Sequence, residues 1–279
     1  MPKVNVNDIQ MYYEVKGRGF PLVMIMGMNN TMETWDPRLV EGLSKHFKLV
    51  LFDNCGVGRT DISKGEYTIK RFADDTAGLM KALRISKAHV LGISMGGMIA
   101  QELALNYPEK VSKLVLCSTS SHYRFDEYNS KVMEAADRGC SLEELTKLIL
   151  SFPFARDYPK DFLREHPGWV FGFTSDFVKE NPDLAKLLIQ RAEENPISPE
   201  VLSHQHGAVL GFNAQARLKH VKAPTLVLHG RKDVSVPPEN GSTLAKAIPK
   251  AKLVYFEKSN HMLAEEMGEV IHVLTDFLL

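Results

Sequence analysis

Short apolar runs separated by stretches of helical periodicity recur along most of the chain. Runs at residues 21–26, 48–53, 88–93, 113–117, 223–230 and 251–256 are rich in Val, Ile and Leu with little polar alternation. That pattern predicts strands buried on both faces of a sheet. Between them, residues 68–83 carry Phe72, Leu79, Met80 and Leu83 on one stripe, and residues 95–107 carry Met98, Ile99, Leu103 and Ala104, so both are predicted helices. Asp36-Pro37 opens another helix, the aspartate as cap and the proline at the first helical position, with Leu39, Val40, Leu43 and Phe47 following periodically. Pro237-Pro238 opens a helix to about residue 248, and a final amphipathic helix runs from about 264 to 278. Near the start, residues 4–7 and 9–15 read as two strands joined by a tight turn at Asn7-Asp8, which implies an antiparallel edge. The alternation predicts an α/β fold, a mostly parallel sheet with helices on both faces.

The alternation stops between residues 118 and 217. Helical stretches at 134–138, 142–152 and 182–193 replace it, with aromatics at Phe152, Phe154, Phe162, Trp169, Phe171, Phe173 and Phe177. We therefore expect residues 1–117 and 218–279 to form the sheet core and residues 118–217 to be an inserted helical cap, or lid, over the strand ends. Most of those aromatics are expected to fill the small core of the insertion, and one or two to line a pocket beneath it.

Composition narrows the partners. With 279 residues, 44% of them hydrophobic, the chain can bury a large core. Lys plus Arg and Asp plus Glu number 34 each, so no net field draws the chain to nucleic acid or to an anionic membrane surface. No stretch approaches the roughly 20 apolar residues of a membrane span, and the first residues lack the apolar core of a signal peptide. Three cysteines, Cys55, Cys117 and Cys140, have no framework spacing. A reducing, cytoplasmic setting fits these features. His204 and His206 lack an acidic or cysteine partner at a metal-site spacing and read as part of a polar stretch; no metal or other cofactor is expected.

The candidate chemistry begins at Gly92-Ile93-Ser94-Met95-Gly96, where a predicted strand turns sharply into a predicted helix. A serine at such a junction adopts a strained backbone and presents its hydroxyl above the sheet edge, provided that small neighbours let strand and helix close in. The same five residues would also read as a glycine-rich turn with an idle serine, and the strand-to-helix setting is what favours a nucleophile. Asp233 and His261 fall just past the ends of two further predicted strands. Open parallel sheets gather such positions at one edge. A serine hydroxyl needs an imidazole to take its proton, and the imidazole needs a carboxylate to fix its tautomer; the order Ser, Asp, His suits this architecture. Ser94, Asp233 and His261 are thus the expected catalytic residues, with Asp53 and Asp126 as stand-in acids. Asp53 is better placed to brace the glycine-rich loop at 54–61, which lacks both dinucleotide and Walker spacing.

Four motifs together resemble the α/β-hydrolase family with an inserted helical cap, over nearly the whole chain. They are the elbow at residues 92–96, the segment 53–60 (similar to D-x-R-G-x-G-x-S), the segment 224–233 (similar to P-T-L-x-x-x-G-x-x-D), and Asn260-His261 where the family has Gly-His. Within the family the chain looks nearest to small carboxylesterases and enol-lactone hydrolases. The resemblance implies an oxyanion hole made by the backbone N–H groups of Met28 and Met95, and Gly27, Asn29 and Trp169 are candidate pocket residues. Two departures stand out: Met26-Gly27 where many members have His-Gly, and Cys55 in place of the usual arginine. They leave open the orientation of the oxyanion loop and whether Asn29 or Asn30 supplies a side-chain donor. Cys55, with nothing basic beside it in sequence, is expected to be a packed thiol.

The leading expectation is a cofactor-independent serine hydrolase that cleaves a small apolar carboxylic ester or lactone through an acyl-Ser94 intermediate. Hydrolytic C–C cleavage or peracid formation on the same residues is the enzymatic alternative, and a ligand-binding sensor with a retained triad is the alternative from another class. The acyl and alcohol groups are not legible, nor is the choice between a monomer and a homodimer.

Overall fold

The largely apolar runs become the central strands of one sheet, with the two strands near the start at its edge. The computed structural model describes residues 2–123, 127–194 and 197–279. Among them, eight strands pair in the order β1-β2-β4-β3-β5-β6-β7-β8. The strands are β1 (Lys3–Val6), β2 (Ile9–Lys16), β3 (Phe20–Ile25), β4 (Phe47–Phe52), β5 (Ala88–Ile93), β6 (Val111–Cys117), β7 (Thr225–Gly230) and β8 (Lys252–Phe256). β2 is antiparallel to both β1 and β4, and every other pairing is parallel. β1 and β2 form a hairpin whose Asn7 takes a left-handed φ of 50°. The chain is therefore an α/β protein with an antiparallel edge, as the patterning predicts.

Side chains alternate across each strand, so the two faces of the sheet collect different residues. Leu22 and Met24 of β3 face α1 (Pro37–Ser44) and α11 (Met267–Leu278), in one cluster with Leu39, Leu43, Val270 and Leu274. Val23 and Ile25 face the opposite way, toward α2 (Ile69–Ala82) and α3 (Met95–Asn106), in a cluster with Phe72, Leu79, Met98 and Ile99. The helix α1 stops earlier than its periodicity suggests. His46 N bonds back to Leu43 O, and Phe47 opens β4 opposite Phe20 instead of closing a helical stripe. A buried aromatic satisfies either pattern, and the parallel partner strand decides it.

The insertion between β6 and β7 contains α4 (Glu127–Asp137), α5 (Leu142–Leu150), α6 (Lys160–Glu165), α7 (Ser175–Glu180), α8 (Pro182–Glu193) and α9 (Pro199–Leu210). Ile149, Phe152, Phe173, Phe177, Leu188 and Ile189 make its own apolar cluster. α9 behaves differently: Ala208 and Val209, with Phe212 and Ala214 after it, join the cluster on the α2/α3 face of the sheet. The base of the insertion is stitched to the core by an antiparallel bridge between His122 and Asn213 and by Arg217 Nη1, 2.9 Å from Glu102 Oε2 on α3. After it, α10 (Glu239–Ala247) connects β7 to β8. No helix among the described residues is long and apolar enough to cross a membrane.

Strand β5 passes into α3 at Ser94, whose backbone sits at φ 55°, ψ −124°. The glycines on either side are required by close approach. A Cβ on Gly92 would stand 2.2 Å from Gly96 O, and one on Gly96 would stand 2.1 Å from Ile25 O. Both obstacles are backbone, which cannot swing aside. Gly96→Ala is therefore expected to destabilise the fold by about 3 kcal/mol, the upper end of overpacking costs. Urea unfolding checks this; a midpoint equal to that of the wild type would contradict the close contact.

Candidate active site

Ser94, Asp233 and His261 each follow the carboxyl end of a strand, β5, β7 and β8 respectively. Ser94 is half-buried and anchored through its backbone. Its N–H donates to Cys117 O at 3.0 Å, and its carbonyl accepts from Gly97 N at 2.9 Å and from Thr119 Oγ1 at 2.7 Å. Its hydroxyl makes no hydrogen bond among the described residues, so the link to His261 is not closed here. Such bonds are commonly long before substrate binds.

Asp233 and His261 are brought into direct contact. His261 Nδ1 lies 2.9 Å from Asp233 Oδ2. A carboxylate accepts, so Nδ1 carries the proton, and Nε2 of the neutral ring is left as a base. Asp233 Oδ1 accepts from Ser235 N at 2.9 Å and from Val236 N at 2.8 Å, which spans the turn after β7. A second histidine, His229 on β7, completes the surroundings. Its Nε2–H donates to Val236 O at 2.9 Å and lies 3.3 Å from Asp233 Oδ2, both side chains being fully buried. Burial alone would push the Asp233 carboxyl up. The His261 charge and the hydrogen bonds from His229 and His261 outweigh burial and hold it well below the usual carboxylate range.

Helix α3 begins at Met95, so the Met95 N–H is one of the donors that a helix start leaves without an intrahelical partner. Neither it nor the Met28 N–H is bonded to a protein acceptor among the described residues. Gly27 brings the Met28 loop onto the serine: a Cβ there would be 3.0 Å from Ser94 Cβ. The loop is tied on both sides. Asn54 Nδ2 donates to Met26 O at 3.1 Å, and Asn29 N donates across to Gln205 Oε1 of α9 at 2.9 Å. Asn30 Nδ2 is engaged with Met28 O at 2.9 Å, and Asn29 is exposed.

An apolar cavity lies on the α1/α11 face of the sheet, where Leu39, Val270 and Leu274 meet Ile93, Met262 and, from the insertion, Trp169 and Phe173; Ser94, Asp233 and His261 do not line it. Ile93 precedes Ser94 and Met262 follows His261. Trp169 stacks on Phe173, centroids 5.3 Å apart, as part of the wall. Gly27 and Asn29 lie outside this cavity.

The remaining candidates fall elsewhere. Asp53 Oδ1 accepts from Met32 N at 2.9 Å and Oδ2 from Arg59 N at 3.1 Å, so this acid braces the glycine loop. Asp126 lies outside the described residues. Cys55 is buried with Sγ 3.4 Å from the Tyr67 hydroxyl, and burial pushes its thiol up. His204 packs on the Tyr67 ring, centroids 4.9 Å apart. Among the described residues no three His, Cys, Asp or Glu side chains converge as metal ligands. The contacts of His229, Gln205 and Asn260 are not legible in sequence. His229 carries no spacing signal, Gln205 meets Asn29 across 176 residues, and Asn260 shows only as a departure from Gly-His.

A sequence profile of the alpha/beta hydrolase fold matches residues 21–266. Among curated proteins, the chain is 27% identical over 274 residues to the putative carbamate hydrolase RutD of Azorhizobium caulinodans, covering 98% of this chain and 96% of that one. It is 26% identical to the pimeloyl-[acyl-carrier protein] methyl ester esterase of Nitrosospira multiformis, with 92% and 93% covered. Among solved structures, the enol-lactonase from Burkholderia xenovorans LB400 superposes with a TM-score of 0.81 at 25% identity, covering 99% of each chain. With the parallel sheet and its strand-to-helix turn at Ser94, the match places this chain in the alpha/beta hydrolase fold family, as a hydrolase.

Proposed function

We propose that the protein hydrolyses a small apolar carboxylic ester or lactone by way of an acyl-enzyme on Ser94. The observation that carries this reading is the buried His261–Asp233 pair at 2.9 Å, standing at the same sheet edge as the strained, half-buried Ser94. In this mechanism His261 Nε2 removes the Ser94 proton as Oγ attacks the acyl carbon. The oxyanion that forms is met by the N–H groups of Met95 and Met28. Each such donor typically contributes about 3 kcal/mol of transition-state stabilisation. The imidazolium then gives its proton to the leaving oxygen, and water repeats the sequence to release the acid. Asp233, held ionised by its surroundings, stabilises the imidazolium without taking its proton. The insertion acts as a cap in this reading, and its Trp169 and Phe173 line an apolar cavity together with Ile93 and Met262, the chain neighbours of Ser94 and His261.

Three of the relatives act, by their names, on a carbamate, a methyl ester and an enol-lactone. All three names describe acyl substrates with a heteroatom leaving group, the chemistry proposed for this chain. A panel of p-nitrophenyl esters and lactones assayed against wild type and Ser94→Ala tests the reading. Turnover of at least one class is expected, falling by about a millionfold in the variant. Equal turnover by Ser94→Ala would refute Ser94 as nucleophile.

The pH dependence follows from the charge on Asp233. Its carboxyl is held ionised well below the usual carboxylate range, so protonation of Asp233 should contribute no step to the pH profile of kcat/KM across the neutral range, and a step traced to Asp233 there would contradict this. His261→Ala and Asp233→Ala should also fail to add, because residues acting as one unit lose most of their effect together. If the double variant lost the product of the two single losses, Asp233 would not be the orienting acid.

A further inference from the structure

The residue before the histidine does more than a glycine at that place can. Asn260 is 2% exposed and every hydrogen-bonding position of its side chain is used. Oδ1 accepts from His261 N at 2.9 Å and from Val234 N at 3.3 Å. One oxygen therefore holds the backbone on the near side of both members of the pair, since Val234 follows Asp233. Nδ2 points the other way and donates to Val170 O at 3.1 Å and to Phe173 O at 2.8 Å, both in the insertion.

The neighbouring links run in the same direction. Met262 N donates to Gly172 O at 3.1 Å. Glu265, which burial pushes up, accepts from Thr174 N at 2.8 Å through Oε1 and from Asn260 N at 3.3 Å through Oε2. The loop that carries His261 and the segment at 170–174 are thus docked as one unit, and the segment contributes Phe173 to the cavity wall. If the segment lifts away, the Nδ2 group, Met262 N and the half-buried Glu265 carboxyl all lose partners together, and the side chain that fixes the Asp233 and His261 backbones is no longer held.

We propose that Asn260 is a positioning residue that couples seating of the cap to alignment of the His261–Asp233 pair, so that the general base is in register only while the cap covers the site. The proposal rests on the reading of His261 and Asp233 as the catalytic pair. Its physical content is a shared equilibrium: cap docking and pair geometry use the same amide, and whatever loosens one loosens the other.

The test reads the pair directly. A histidine Nδ1 proton bonded to a carboxylate gives a far-downfield proton NMR resonance, assigned here by its loss in His261→Ala. Two variants of the full chain are compared with wild type. Asn260→Gly removes all four side-chain bonds. Tyr158→Phe touches neither Asp233 nor His261 but removes a hydroxyl that sits on the same cap carbonyls, 3.2 Å from Val170 O. The expected result is a shifted or broadened resonance in both, with kcat for a p-nitrophenyl ester lowered by about 10- to 100-fold in Asn260→Gly and KM changed far less. A resonance and kcat that stay at wild-type values in Asn260→Gly would overturn the proposal. So would a resonance that moves in Asn260→Gly and stays in place in Tyr158→Phe, since Asn260 would then brace the pair without reference to the cap. If Asn260→Gly does not fold, Tyr158→Phe decides alone by the same criterion. Because the resonance is read without turnover, an inactive wild type would count against the proposed function and leave this test intact.

Discussion

A backbone at φ 55°, ψ −124° is unfavourable for any residue with a Cβ, and at Ser94 the fold holds it there from three directions. β5 is buried on both faces and registered between β3 and β6. α3 packs back onto the sheet so closely that Gly92 and Gly96 have no room for side chains. Thr119, beyond β6, bonds the Ser94 carbonyl. The strain is local and the compensation is spread over the sheet. That is what allows a hydroxyl to stand at the strand end with the first N–H groups of α3 beside it.

The second constraint is a buried carboxylate. Asp233 has no exposed side-chain surface, and a bare charge there would be expensive. Two backbone N–H groups and two imidazole N–H groups close around it instead, one ring from β7 and one from the loop after β8. The charge is thereby kept, and the tautomer of His261 is fixed by the same contact. Asn260 extends this arrangement outward: its amide bonds the backbones of His261 and Val234 on one side and those of Val170 and Phe173 in the insertion on the other.

Much of this is legible in the sequence because the strands are buried on both faces. Residues 88–93 and 225–230 are mostly apolar, broken only by His89, Thr225 and His229, and Ser94 and Asp233 stand just past their ends. Glycine spacing marks the elbow for the same reason that the Cβ positions are blocked. The insertion is less legible. α4 begins at Glu127 in a polar stretch that periodicity does not mark, and α9 returns to the sheet core although it lies inside the helical segment. α11 starts at Met267, later than its apolar stripe implies, since Leu263 is left-handed at φ 55° and a short 3-10 turn intervenes. Contacts such as Asn29 with Gln205, or Asn260 with Val170 and Phe173, join backbone to side chain across long separations. No local pattern encodes them.

The central claim is that the acyl group passes through Ser94. Rapid mixing with an activated ester, quenched in acid within the first turnover and read by intact and peptide mass spectrometry, addresses it most directly. The account predicts a burst of alcohol release close to one equivalent of enzyme and an acyl mass increment on the peptide that contains Ser94. Steady turnover with no acylated Ser94 peptide at any quench time, or the acyl group on Cys55 instead, would contradict it.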